Sequence, residues 1–456
     1  MVVGHRGGPE GTELAFHQLT EVGESHPHHG SVGNVLDSLW AALGGDHREL
    51  ARLEITGPRT TLTSTFAVTE AATAAVGASL LAAGIGSKAR VAVDTRQLAV
   101  AVRSERYVRR DGRPGGSPFY PLSAFHRTSD GWLRLHANYA WHREAALRVL
   151  GCAESDATAA IAEREAVELE TALHAAGGVG AAVRTEAQWR AAAGPPPPLV
   201  ERRDLAPAAP RPARRLRVLD LTRVIAGPVA TRTLAVHGAD VLRLDAPHLP
   251  EIPLQAWDML PGKRSALLDL HDADTRERLL AGADVVVAGY RPGALDRFGL
   301  APDALTERHP GLVVVTLSAW GTDGPWGTRR GFDSLVQAAC GIAVDEGGPD
   351  GPGALPAQVL DHATGYLAAA GALLAVERQR HSGGTPHVRL SLAGTAAWLQ
   401  GLPRAAREDV PDVDPAPYLV EKGRFTLAAP PGTIDAMPLT WPDPAPAYGA
   451  ATPEWT

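Results

Sequence analysis

The sequence predicts an α/β fold: a Rossmann-like parallel sheet with helices, accompanied by a smaller α/β domain. Two observations predict it. From Leu216 to Gly321, short β-branched and aliphatic runs alternate with helical stretches, the pattern of βαβ units. Ahead of that region, Ala193 to Arg215 is dense in proline, with Pro195 to Pro198 in succession, which marks a stiff connector between two parts. The 456 residues, 45% of them hydrophobic, suffice for about two or three domains with a sizeable core.

In chain order, a helical pattern covers Asn34 to Leu53, and an Ala-rich helix covers Val68 to Ala83. Val91 to Val102 (VAVDTRQLAVAV) is strand-like. Ser117 to Trp141 is β-like, with Ser129-Asp130-Gly131 turning a hairpin between AFHRT and WLRLH. Helices follow at His142 to Leu150 and Ala157 to Ala175. Past the connector, LRVLDLT (Leu216 to Thr222) is a buried parallel strand, and the helix from Pro228 to Gly238 has proline in its first turn. Strands at Asp240 to Asp245, Ser265 to Leu270, Asp284 to Tyr290 and Gly311 to Gly321 alternate with helices at Asp272 to Ala283 and Pro302 to Arg308. An Ala/Gly-rich helix from Ala363 to Glu377 then follows the Pro-bearing lead-in ALPAQV. An internal repeat joins the two parts: AVTEAATAAVGASLLAAG (Ala67 to Gly84) resembles VLDHATGYLAAAGALLA (Val359 to Ala375). Each copy leads into a strand-like segment, the second being VRLSLAGTAAWL (Val388 to Leu399).

Composition narrows the function classes. A net charge of −7 leaves no electrostatic footprint for a nucleic-acid partner. No apolar run is taken to reach membrane-spanning length, and MVVGH does not open a signal peptide. Two cysteines, Cys152 and Cys340, cannot form a disulfide framework, so a reducing cytoplasm is the expected location. His26, His28 and His29 lack an accompanying carboxylate or thiol pattern, so a mobile loop is expected there rather than a metal site.

The heptapeptide LDHATGY, Leu360 to Tyr366, places one carboxylate, Asp361, at the start of a helix. The peptide dipoles there favour its ionised form, and an ionised, positioned carboxylate can act as an acyl-transfer nucleophile. By itself the motif reads rather as an ordinary N-cap.

Five ordered blocks add to this reading: LDLTRVIAGPVATRTLAVHGADVLRLDAP (Leu219 to Pro247), GKRSALLDL (Gly262 to Leu270), VVVAGYRPGALDRFGL (Val285 to Leu300), LSAWGTDGPWGTRRGFDSLVQAACG (Leu317 to Gly341) and the motif around Asp361. In these blocks the chain resembles the family III CoA-transferases, a family that includes formyl-CoA and carnitine-CoA transferases. DGWLRLHANYAWHREAALRVLG (Asp130 to Gly151) is similar to the family's small domain, which here precedes the catalytic half. The resemblance implies a rearranged, partly duplicated family III fold in four parts. Residues 1–199 are a partial unit, 200–215 a Pro-rich linker, 216–399 the CoA-binding catalytic unit, and 400–456 a Pro-rich segment returning to the core.

The resemblance also implies roles. Asp361 is the nucleophile that attacks an acyl-CoA thioester and later carries CoA as an aspartyl thioester. Gly365, or amides near the helix start, would supply oxyanion donors. Arg223, Lys263, Arg291 and Arg297, with Ala226 and Tyr290, fall at or near CoA-contacting positions, suited to a ligand with three phosphates. Ala246 departs from formyl-CoA transferase, which has an arginine there, and the family's Gly-rich active-site loop has no clear counterpart. The implied substrates are an acyl-CoA and a small carboxylic acid, with no tightly bound cofactor, no metal, no nucleic acid and no membrane. A homodimer is implied by analogy. Within the same fold, α-methylacyl-CoA racemases carry a histidine in a GHD segment. Phe332 stands there in GFD (Gly331 to Asp333) and cannot accept a proton, which disfavours racemisation. A non-catalytic CoA-binding scaffold is the alternative of another class.

Overall fold

The structure, a computed structural model, describes residues 32–404, 407 and 409–456. The histidines at 26, 28 and 29 lie outside the described residues. A seven-stranded sheet comprises β1 (Val200–Asp204), β2 (Arg217–Leu221), β3 (Asp240–Asp245), β4 (Arg264–Leu267), β5 (Val285–Ala288), β6 (Val313–Ser318) and β7 (Pro386–Ser391). Its order is β4-β3-β2-β5-β6-β7-β1. All neighbours from β4 to β7 are parallel, and β1 adds antiparallel to β7. The strands build outward from β2 in one direction and then, from β5, in the other. The crevice at such a reversal is where open α/β sheets bind ligands.

Alternate residues of a strand face opposite sides of the sheet. Val218, Val241, Val285 and Val313 enter one core, whereas Leu219, Leu242, Val286 and Val314 enter another. Burial on both faces explains the near-continuous apolar runs of these strands. Helices α1 (Val68–Ala83), α2 (Ala226–Val236) and α3 (Val359–Ser382) are among those that cover the first core, with α3 packed along both α1 and α2. Helices Ala273–Gly282 and Pro302–Arg308 cover the second.

Several sequence expectations need correction. Residues 200–215 are not wholly a linker, because Val200–Asp204 is an edge strand whose backbone pairs with β7. The apolar run of α3 does reach bilayer-spanning length, with 24 residues, yet 94% of its most apolar window is buried inside the protein. It is a core helix, apolar on every face because every face meets protein. The segments 91–102 and 388–399 each split into a strand and a helix: Val91–Asp94 then Thr95–Ala101, and β7 then Leu392–Gly401. The switch has a local cause. Asp94 accepts the amide of Arg96 and Ser391 that of Gly394, so each polar residue caps a new helix. Both halves of the sequence repeat thus run helix, strand, helix.

The hairpin forms between Phe125–Arg127 and Trp132–Leu135, and a third strand, Gly180–Ala182, extends it. The helical stretch from Ala157 to Ala175 breaks in two, at Ala157–Ala162 and Ala166–Ala175. The C-terminal segment pairs with strands of the N-terminal half. Phe425–Ala428 pairs with Arg109–Arg110, Thr433–Ile434 pairs with Val91–Asp94, and Trp441 is buried.

Candidate functional site

A cleft of about 690 Å³ opens along the carboxyl ends of β2, β3, β5 and β6, at the reversal of strand order. The loop after β2 supplies Arg223, Val224 and Ala226, and the loop after β5 supplies Tyr290, Arg291 and Arg297. Asp361, in the first turn of α3, reaches the cleft lining and is 5% exposed. The opposite wall comes from the small α/β unit and includes Tyr139, Trp141 and His142.

The start of α3 is held by Asp333. Its Oδ2 accepts the amide of Asp361 at 3.0 Å, and the amide of Leu360 and the side-chain amide of Gln337 also donate to it. These are the orphan donors of a helix N-terminus, here satisfied from outside the helix. Asp361 therefore does not receive them. Burial first, then the charge of Asp333 and that of Glu105, push its carboxyl well above the usual carboxylate range. Desolvation and two like charges thus oppose the ionised form that the helix dipole favours.

Arg223 lies between ring faces and a buried acid. Its guanidinium is 4.9 Å from the Tyr139 ring centroid and 5.5 Å from that of Trp141, and it stands 3.6 Å from Glu251 Oε1. Glu251 organises this corner. It accepts the Tyr139 hydroxyl at 2.6 Å, the Val224 amide at 3.1 Å and an Arg243 Nη2 donor at 2.9 Å. Against the push of burial, Arg243 and then Arg223 bring the Glu251 carboxyl down to about 2. Val224 takes φ 68°, a costly conformation for a β-branched residue, and its bond to Glu251 helps to hold it there.

Arg291, Arg297 and Arg330 are exposed around the cleft, and none of the three makes an ion pair with a carboxylate among the described residues. Burial and then Arg291 lower the Arg330 guanidinium, as expected for crowded like charges. Phe332 stacks on His136 with centroids 3.7 Å apart and meets the edge of His142 at 5.8 Å. Burial, then Arg330 and Arg223, push the His142 imidazole down to about 3, so it is neutral.

The sequence-predicted residues separate. Asp361, Arg223, Ala226, Tyr290, Arg291 and Arg297 share the cleft, as does Ala246. Lys263 does not. Its Nζ is buried, 3.0 Å from Asp220 Oδ2 and 3.0 Å from the Pro228 carbonyl, so it neutralises an internal acid rather than facing a ligand. Gly365 is also misassigned as an oxyanion donor. It lies in the body of α3, where a helical N–H bonds within the helix, and a Cβ there would stand 2.5 Å from the Ala226 carbonyl oxygen. Its smallness lets α3 approach α2. The residues missed were Glu105, His142, Tyr139 and Arg330. Arg330 sat inside the fourth block and its charge was a usable signal, whereas the others are distant in sequence and only folding brings them in.

Residues 214–413 match the family model of CoA-transferase family III. A probable fatty acyl-CoA transferase of Mycobacterium tuberculosis is 35% identical over 230 residues, which cover 45% of this chain and 58% of that protein. The formyl-CoA:oxalate CoA-transferase of Streptomyces coelicolor is 34% identical over 192 residues, 39% of this chain and 47% of the relative. A crystal structure of the Mycobacterium tuberculosis hypothetical protein Rv3272 aligns with 42% of this chain and 58% of that chain, at 33% identity and a TM-score of 0.39. The chain spans about half the length of the curated relatives it matches. With its five ordered blocks, the segment from residue 214 to residue 413, less than half of the chain, is similar to CoA-transferase family III, whose model it matches.

Proposed function

We propose that this chain is a CoA-transferase that moves CoA from an acyl-CoA to a small carboxylic acid through Asp361. The observation that carries the reading is the meeting of Asp361 with an arginine-rimmed cleft at the reversal of strand order. Arg291, Arg297 and Arg330 suit the phosphates of CoA, and the cleft they share with Asp361 suits the pantetheine arm. An Asp361 carboxylate oxygen attacks the thioester carbonyl carbon, the C–S bond breaks, and CoA leaves as thiolate, which gives a mixed anhydride. The thiolate returns to the aspartyl carbonyl, releasing the donor acid and leaving an aspartyl-CoA thioester. The acceptor carboxylate then attacks that thioester, thiolate leaves again, and its return to the acyl carbon of the new anhydride regenerates Asp361. No tightly bound cofactor is needed, and CoA acts as substrate. A cytoplasmic homodimer, with neither nucleic acid nor membrane as partner, completes the proposal.

Incubation with acyl-CoA donors and hydroxylamine should place a hydroxamate on Asp361, detected by mass spectrometry, and Asp361→Ala should abolish both adduct and exchange. Undiminished exchange in the Asp361→Ala protein sinks the mechanism. CoA binding with no adduct from any donor favours a scaffold instead. One observation supports a second reading: His142 lines the same cleft as Asp361, so a second proton-transfer group is present despite Phe332. Deuterium wash-in at the α-carbon of a 2-methylacyl-CoA would favour it.

A further inference from the structure

Beneath the first turn of α3 lies a buried group that the proposed chemistry does not use. Glu105 belongs to the short helix Ser104–Tyr107, outside the segment matched to the family, and is 5% exposed. Its Oε2 is buried without a hydrogen-bond partner. His362 Nε2 stands 4.0 Å away, and both ring nitrogens of that fully buried histidine also lack partners. His362 follows Asp361 directly on α3, so Glu105 presses on the turn that carries the nucleophile. Arg106 secures the approach by donating to the Pro356 carbonyl at 2.7 Å.

We propose that Glu105 is a positioning residue for Asp361, a buried acid from the N-terminal half that governs whether the nucleophile is charged before substrate binds. This inference rests on Asp361 being the reactive group. The carboxyls of Asp361, Asp333 and Glu105 are all buried, with Asp333 on the Asp361 amide and Glu105 beside the adjoining His362, so ionisation of each opposes that of the others. Asp333 is the best stabilised as an anion, since two peptide amides and Gln337 donate to it. The remaining proton demand falls on Glu105 and Asp361. Glu105 is faced by His362 from α3, by Asp258 from the helix Pro253–Met259, by Arg232 from α2 and by its neighbour Arg106. Asp258 is already committed, accepting from Ser104 at 2.7 Å and from Arg232 at 3.2 Å. Arg232 also disfavours a proton on His362, after burial, so the imidazole remains neutral and open as an acceptor. Glu105 Oε2 therefore faces a neutral imidazole nitrogen, 4.0 Å away. With Glu105 neutral, one of the two charges opposing Asp361 ionisation disappears.

The test reads Asp361 directly. The protonated-carboxyl infrared band of Asp361 is identified by difference against Asp361→Asn, in wild type and in Glu105→Gln, and followed across pH. In Glu105→Gln the band should disappear lower by about one pH unit, the size expected for losing a nearby like charge. Glu105→Asp keeps the acid but draws it back from His362, and should give a smaller shift. It also decides the matter should the glutamine variant fail to fold. An unmoved Asp361 titration in a folded variant overturns the proposal. The readout needs no turnover, so a shifted band without any acyl adduct would reject the transferase reading and leave only the coupling between the two acids.

Discussion

Gly365→Ala separates packing from catalysis at the centre of the site. A Cβ at this position would lie 2.5 Å from the Ala226 carbonyl oxygen, 2.7 Å from Val229 Cβ and 2.8 Å from Val229 Cγ1, where ordinary contact begins at 3.4 Å. The helices must separate by about 0.9 Å, the shortfall against the carbonyl oxygen. That oxygen belongs to the backbone of α2, and Val229 is fully buried, so neither can swing aside. Overpacking of this kind costs about 1–3 kcal/mol. The same displacement moves Asp361, one turn earlier on α3, relative to Ala226 across the cleft. A misplacement near 1 Å can lower a rate by roughly a hundredfold. Urea unfolding should report the stability loss, and single-turnover hydroxamate formation the loss at Asp361. Alanine keeps the peptide N–H, so a glycine acting only as an oxyanion donor would tolerate the change. A variant within about 0.5 kcal/mol of wild type, the usual range of a neutral substitution, with full adduct formation would refute the packing argument.

Other outcomes follow from the buried charges. Lys263→Met should destabilise the fold by about 3–5 kcal/mol, because Asp220 would remain buried without its cation. CoA affinity of the folded fraction, measured by calorimetry, should stay unchanged, whereas a large affinity loss would return Lys263 to the binding site. Stability should also depend on pH through Glu105, which burial and then Asp258 push up to about 7 from an ordinary 4.5. The folded state holds this proton after the unfolded chain has released it, so the contribution is present below pH 4.5 and is lost as pH rises towards about 7. Glu105→Gln should flatten that decline in the urea midpoint. Glu251 acts oppositely: held down to about 2, it costs stability as pH falls from 4.5 towards 2.

The parallel sheet was legible because its strands are buried on both faces and alternate with helical stretches, and those patterns are local. Asp240 to Asp245 and Pro302 to Arg308 match their observed bounds. Val91 to Val102 misled because one apolar run spans a strand and a helix, although Asp94 and Ser391 carried the capping signal. Lys263 illustrates a different limit. Its block revealed the family, yet a charge beside a binding loop can point inward as readily as outward, and its direction depends on Asp220, 43 residues away.

The sequence by itself determined the fold class, the likeness of residues 214–413 to CoA-transferase family III and the presence of a carboxylate at the start of α3, because periodicity and ordered motifs reside in contiguous residues. Only the tertiary structure decided that carboxylate's charge. Solvation and the proximity of Asp333 and Glu105 set it, and those acids lie 28 and 256 positions away along the chain. Electrostatic energy depends on distance through space and on water excluded by packing, and no local pattern encodes either.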